Sequence, residues 1–374
     1  MAVYLYLNFN LKPIFVLVAV LVAFIRACVF IRRFFLRRQF ALAHGCQPVA
    51  KSWNRDPFLG LDTIPGTIRA FRQHKILERS HKCFGVYGNT FTVQELYRRA
   101  IVTVEPENIK TILSLKFNDY SISHRLKPFE PLLGKGIFDT DGEHWASSRA
   151  LIRPSFTRDQ VADLTSLENL IQALFVLLPR DGKTTVDLQD LFFSYTMDSA
   201  SEFLFGQSVG ALQKTQSGFG FAQAFHHAQQ AVILRVMLGP LTMFYRNRKA
   251  NECNRICRDF AQQFVEEALH ASAIQKDDKK EERAQMNRQK HIFSHELATR
   301  TSDKRRILDE LMNVLLAGRD TTASLLSNMF FMLAKNPVIW EKLRQEVAGL
   351  QGRAPTYEEL RSFKYVRCCM NECK

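Results

Sequence analysis

Residues 313–326 read NVLLAGRDTTASLL, an apolar helical run that suddenly places Ala317, Gly318, Arg319, Asp320, Thr321 and Thr322 in a row. Glycine inside a helix costs about 1 kcal/mol relative to alanine, and Asp and Thr are mediocre helix formers, so the hexapeptide weakens the element that carries it. At 3.6 residues per turn Ala317, Asp320 and Thr321 share one face, with Gly318 beside them. Two missing side chains thus lie next to a carboxyl and a hydroxyl. Such a notch admits a flat ligand to the backbone, and Thr321 can bend the helix by competing for a carbonyl or hold a water in the opened turn. The alternative is a small-residue notch where another helix crosses, with Asp320 paired to a neighbouring base.

A second pair lies in DGEHWASSRALIRPSF, where Trp145 and Arg149 stand four residues apart. On a helix that spacing puts an indole N–H and a guanidinium on one face, a donor set for an anionic group. An aromatic ring and an arginine stacked on a surface helix is the simpler reading of the same pair. The eight cysteines, at 28, 46, 83, 253, 257, 368, 369 and 373, have neither the C-x-x-C spacing of a zinc site nor the density of a disulfide scaffold. They read as reduced thiols. Cys253 and Cys257 are four apart on a charged helix, but no His or Cys cluster completes a metal site.

The elements that must position these residues are mainly helices. Thirty Phe against 17 Gly and 12 Pro suit helices packed through large apolar side chains, and 374 residues with 46% apolar content can bury a large core. Helical patterns are expected over 145–151, 160–178, 188–204, 221–237, 251–271 and 302–335. The last is a core helix about 50 Å long, stopped by Asn336-Pro337. Turn chemistry at Gly88-Asn89 and β-favouring residues up to Val104 predict a hairpin followed by a helix after Glu105-Pro106. Residues 275–291, nearly free of apolar side chains, read as an exposed charged loop, and 45–62 read as a linker.

The net charge of +14 lacks the aromatic-interleaved patch or motif of a nucleic-acid site, so no nucleic-acid partner is expected. Residues 11–31 are apolar apart from Lys12 and Arg26, long enough to cross a bilayer as a single N-terminal transmembrane helix. Arg32, Arg33, Arg37 and Arg38 follow it and, by the positive-inside rule, place the rest in the cytosol. The expected organisation is an anchor with its basic flank at 1–44, the linker, and a soluble region at 63–374.

AGRDTT resembles the oxygen-binding signature in the long central helix of cytochrome P450 monooxygenases, and Trp145 with Arg149 resembles the family's W-x-x-x-R element. DPFLGLD, YGNTF, EPENIK, LLGKGIFDTDGEHW, DLFFSYTMDSASEFLFG and LMNVLLAGRDTTA are similar, in this order, to the fungal group that hydroxylates n-alkanes and fatty acids. The resemblance spans nearly the whole chain. It implies the cytochrome P450 fold with a small sheet near the N-terminus, and a haem whose propionate is held by Trp145 and Arg149. Ala317 and Gly318 would make room above the ring, and Asp320 and Thr321 would relay protons. It further implies an NADPH-cytochrome reductase as electron donor, a long-chain aliphatic substrate, and a single-pass location in the endoplasmic reticulum membrane. Substrate contacts would come from 119–138 and 221–245, where His226 and His227 read as partly exposed helix residues.

Glu372 matches the glutamate of the family's E-x-x-R, whose arginine would fall one residue beyond Lys374. The cysteine loop F-x-x-G-x-x-x-C, which supplies the axial thiolate, is expected beyond that point. The chain is therefore read as an N-terminal portion, inactive alone. The competing class is a non-catalytic, membrane-tethered helical protein that binds lipids or partners.

Overall fold

The computed structural model describes residues 11–54, 56, 59–95, 98–157, 164–214, 216–277 and 292–373. The chain divides into two compact units, 1–120 and 121–374.

In the first unit, α1 (Leu11–Ala43) is one continuous helix of 33 residues. The expected single span over 11–31 is corrected here: among the described residues no helix is long and apolar enough to cross a membrane. The helix does not stop at Ile31 but runs on through Arg32, Arg33, Arg37 and Arg38, with Arg26 already inside it. Each arginine near the centre of a span costs about 2.5–3.5 kcal/mol. A three-stranded sheet follows, in which β1 (Ala50–Lys51) pairs parallel to β2 (Thr90–Glu95), and β2 pairs antiparallel to β3 (Arg98–Thr103), with Phe91 opposite Val102. Helices α2 (Thr63–Arg72) and α3 (Ile76–Tyr87) precede the hairpin. Gly88, at φ +84°, stops α3 rather than turning the hairpin. Phe91 is buried against Phe84 and Tyr87. A short α4 (Pro106–Lys110) begins at Glu105-Pro106 as expected.

The second unit is helical: α5 (Leu126–Leu133), α6 (Gly142–Ile152), α7 (Thr165–Val176), α8 (Leu188–Phe205), α9 (Gln216–Leu238), α10 (Arg248–Asp277), α11 (Phe293–Arg300), α12 (Lys304–Lys335), α13 (Pro337–Val347), α14 (Tyr357–Ser362) and α15 (Lys364–Glu372). Helix α10 runs through 275–277, so the first residues of the expected charged loop are helical; 278–291 lie outside the described residues, as do 160–163 of the expected 160–178 helix.

Helix α12 runs through the core, packed chiefly against α8 and also against α10. Asp303 starts it by accepting a hydrogen bond from the Arg306 N–H (3.1 Å). Ile307, Leu311, Met312 and Leu315 give it a fully buried stripe at helical spacing, against Met197 and Leu204 of α8 and Val265 of α10. Phenylalanines fill the space between α8, α9 and α10: Phe205 stacks on Phe264 and Phe221 lies tilted against Phe260, with ring centroids 4.5 Å apart in both pairs.

Candidate functional site

The first half of α12 carries buried polar groups rather than a pure apolar face. Asp309, Glu310 and Asn313 are all buried, and they accept hydrogen bonds from three backbone N–H groups of the 134–138 loop. Lys135 N donates to Asp309 Oδ2 (2.8 Å), Ile137 N to Glu310 Oε2 (3.3 Å) and Phe138 N to Asn313 Oδ1 (3.2 Å). Asn313 Nδ2 returns a bond to the Leu133 carbonyl (3.1 Å), and Arg258 of α10 donates to Asp309 Oδ1 (2.8 Å). The loop must therefore lie flat on the helix. Gly134 (φ +72°) and Gly136 permit this: a Cβ at Gly134 would sit 1.8 Å from Asp309 Oδ1, and one at Gly136 2.2 Å from Asn313 Nδ2.

This clamp leads directly into α6. Arg306 Nη2 donates to Ser148 Oγ (2.9 Å) and to the His144 carbonyl (3.3 Å), fixing α6 on the opening turn of α12. Arg306 Nε also lies 3.3 Å from Glu310 Oε1, an ion pair without hydrogen-bond alignment. Asp139 closes the loop, its Oδ1 accepting from Gly136 N (2.8 Å) while Oδ2 is buried with no hydrogen-bond partner. Burial, with the Asp309 and Glu310 carboxyls beside it, pushes the Asp139 carboxyl up to about 6.

The second half of α12 changes character at Ala317. Gly318, Thr321 and Thr322 are exposed, whereas Arg319 is buried on the other side. A Cβ added at Gly318 would meet only the Ala200 Cβ, at an ordinary 3.4 Å, so a tight helix crossing is not what keeps this position small. Thr321 Oγ1 donates to the Ala317 carbonyl (2.8 Å), the back-bond expected of a hydroxyl competing within its own helix. Asp320 is half-buried and turned toward α9: Arg319 Nη1 donates to Oδ1 (2.9 Å) and Gln229 Nε2 to Oδ2. Arg319 is in turn fixed over the rings of Phe193 (4.8 Å) and Phe225 (5.6 Å). The paired base foreseen for Asp320 is thus its own neighbour in sequence. That arrangement holds the carboxylate beside the small-residue face.

On α6, Trp145 is half-buried and Arg149 exposed, with the guanidinium 5.6 Å from the indole centroid. The two share a face, as their spacing requires. They do not adjoin the hexapeptide directly: α6 meets α12 at Arg306, eleven residues before Ala317 or about 16 Å along the helix. The uncovered small-residue face of α12 and the N–H and guanidinium pair of α6 are each of a kind that a flat, doubly anionic macrocycle would need, one for its ring and one for its carboxylates. None of the eight cysteines stands in the F-x-x-G-x-x-x-C pattern expected around an axial ligand. Cys253 and Cys257 are buried on α10, where burial raises both thiols, that of Cys257 to about 12. Among the described residues no group of three or more His, Cys, Asp and Glu side chains could hold a metal ion. His226 is exposed and His227 half-buried.

Sequence reasoning missed the clamp and the Phe193–Arg319–Phe225 stack. The signal for the clamp was present: Asp309 and Asn313 sit four apart within the apolar stripe of α12, and two glycines flank Lys135. The stack had none, because its aromatic partners come from α8 and α9.

A family model described as Cytochrome P450 matches residues 63–373. The chain is 44% identical over 342 residues to the cytochrome P450 monooxygenase himC of Aspergillus japonicus, covering 90% of this chain and 61% of that protein. It is 42% identical over 350 residues to the cytochrome P450 monooxygenase fsdH of Fusarium heterosporum (91% and 61%), and 36% identical over 335 residues to cytochrome P450 52A3-B of Candida maltosa (84% and 62%). The chain spans about 61% of the length of the first two of these relatives.

Proposed function

The chain belongs to the cytochrome P450 family, and from that premise we propose that it carries the distal half of the active site of a haem-thiolate monooxygenase. The proposed reaction inserts one oxygen atom of dioxygen into a C–H bond of a long-chain aliphatic substrate, an n-alkane or a fatty acid. Two relatives bear the name monooxygenase, and the likeness to a member of the 52A group supports the aliphatic substrate. The observation that carries the reading is the second half of α12, where Gly318 and Thr321 lie uncovered beside an anchored Asp320 on a helix whose first half is buried.

Haem, when bound, supplies the dioxygen chemistry. The protein's part is binding, orientation and proton handling. Trp145 Nε1–H and the Arg149 guanidinium would donate to a propionate, a charge-assisted contact for which arginine is well suited. Ala317 and Gly318 leave the helix backbone open to a flat ring. Thr321 holds its proton at Oγ1, poised between the Ala317 carbonyl and the open face. Asp320 accepts at both oxygens from Arg319 and Gln229, which keeps the carboxylate oriented and available as a proton carrier one residue away. Electrons would come from NADPH through a cytochrome reductase. Residues 63–374 are assigned to catalysis, on the cytosolic face of the endoplasmic reticulum membrane. Residues 1–44 attach them there through the exposed apolar side chains of α1, such as Phe24 and Phe30, with 45–62 as the connection.

The carbon monoxide difference spectrum of the reduced protein, expressed from its complete gene, tests this reading. A Soret band at the position typical of thiolate-ligated ferrous haem is expected. A protein without haem, or with the band of a histidine-ligated haem, would instead favour the non-catalytic, lipid-binding reading.

A further inference from the structure

The clamp between the 134–138 loop and α12 gathers more buried acid than base. Asp139, Asp309 and Glu310 are each 2% exposed or less, and two guanidiniums reach them: Arg258 Nη2 lies 2.8 Å from Asp309 Oδ1, and Arg306 Nε 3.3 Å from Glu310 Oε1. Among the described residues no ion pair involves Asp139. Adjacent backbone donors hold it beside Glu310, since Gly136 N binds Asp139 Oδ1 and Ile137 N binds Glu310 Oε2. Asp139 Oδ2 and Glu310 Oε1 remain buried without a hydrogen bond. Three carboxyls beside two guanidiniums balance only if one carboxyl carries a proton, and the carboxyl without a cation is the costliest to keep ionised. The other charged groups around the loop leave that count unchanged. His144 of α6 donates from Nε2 to the Lys135 carbonyl (3.0 Å) and accepts at Nδ1 from Arg306 Nη1 (3.2 Å), the Lys135 side chain is exposed, and Glu130 of α5 faces Arg305 at 3.9 Å.

We propose that Asp139 is the proton-bearing positioning residue of this clamp: with a proton on Oδ2 it keeps the 134–138 loop on α12, and loss of that proton releases the loop and unseats α6, which carries Trp145 and Arg149. The proton comes from solvent and returns to it, with no other bond made or broken. Its O–H supplies the donor that the two bare oxygens lack. Burial raises the Glu310 carboxyl as well, so the proton belongs to the pair, with Asp139 as its seat because Glu310 has Arg306 beside it. The sign follows from the Asp139 carboxyl, which ionises at about 6 in the clamp against 3.8 when free. The clamp is tightest below about pH 4, and its hold is lost as pH rises through about 6. This device concerns the seating of α6 and is independent of what Trp145 and Arg149 bind.

The test is amide hydrogen exchange of residues 134–152, read by mass spectrometry in the protein expressed from its complete gene and corrected for the intrinsic effect of pH. Protection of this segment should rise about tenfold or more from about pH 7.5 to about pH 4.5. Asp139→Asn keeps an acceptor for Gly136 N and puts a donor where the bare oxygen was. It should be protected at neutral pH as the wild type is in acid, and lose the rise. Glu310→Gln leaves two carboxyls for two guanidiniums and should lose the rise too. His144 is told apart by sign: as a cation it no longer accepts from Arg306, so its titration would loosen the clamp on acidification. His144→Gln should therefore keep the rise. Wild-type protection that falls or stays level on acidification overturns the proposal, as does an Asp139→Asn protein that retains the rise. The wild-type profile decides by its sign even where a variant does not fold. Failure of this test leaves the spectrum of the haem protein untouched, and failure of the spectrum leaves this result standing.

Discussion

Thr321→Ala, in the protein expressed from its complete gene, is expected to lower the product formed per NADPH consumed by about tenfold or more, with the missing electrons recovered as hydrogen peroxide. Haem content and substrate affinity should change little. The reason is where the hydroxyl stands: Thr321 is exposed and donates to the Ala317 carbonyl, so removing it empties no core space and strands no buried donor. The folding cost is below about 1 kcal/mol, and alanine is the better helix former. What is lost is a proton held at the open face of α12. An unchanged ratio of product to NADPH would return Thr321 to the role of a hydroxyl that merely satisfies its own helix.

Gly134→Ala is expected to have the largest effect on folding, about 3 kcal/mol or more. Two causes act together. The residue has φ +72°, where an L side chain is strained, and its new Cβ would fall 1.8 Å from Asp309 Oδ1. Asp309 has little freedom to retreat, because Lys135 N and Arg258 Nη2 each hold one of its oxygens at 2.8 Å. Moving the loop instead would break its bonds to Glu310 and Asn313 and shift α6 with it. Gly142→Ala is the internal control: its φ is +60° but nothing lies within 4 Å of the added Cβ, so only the backbone strain, about 1 kcal/mol, should appear. Urea midpoints of the three proteins check this. Similar midpoints for the two variants would mean that the clamp yields more easily than its geometry indicates.

Much of the helical framework was legible because its signals are local. The stripe of Ile307, Leu311, Met312 and Leu315, the Asp303 cap and the Asn336-Pro337 stop delimit α12 to within two residues of its observed ends. Helices α2 and α3 gave no such signal, since they bury almost nothing: Ala70 is the one buried residue in α2, and α3 has none. Pro65 sits in the first turn of α2, where its missing N–H is no loss. The N-terminal apolar run is helical but not the expected span: Arg32, Arg33, Arg37 and Arg38, expected as a flank beyond the membrane, continue the same helix, and among the described residues none is apolar enough to cross.

At the candidate site, the pairs Trp145–Arg149 and Ala317–Thr321 could be found from spacing, because i, i+4 neighbours are fixed by the helix itself. The contacts that orient them could not. The stacking of Arg319 on Phe193 and Phe225, the Gln229 bond to Asp320 and the 134–138 clamp join residues from about 90 to 175 positions apart, and sequence spacing says nothing about such distances.

The most direct measurement of the central claim is the origin of oxygen in the product. Membranes containing the protein from its complete gene, supplied with NADPH and a cytochrome reductase, are given a long-chain alkane or fatty acid under isotopically labelled dioxygen, and the products are read by mass spectrometry. The account predicts a hydroxylated chain carrying one labelled oxygen atom, formed only when NADPH is present. Hydroxylated product whose oxygen comes from water, or no oxygenated product while haem and reductase are both present and active toward a control substrate, would contradict it.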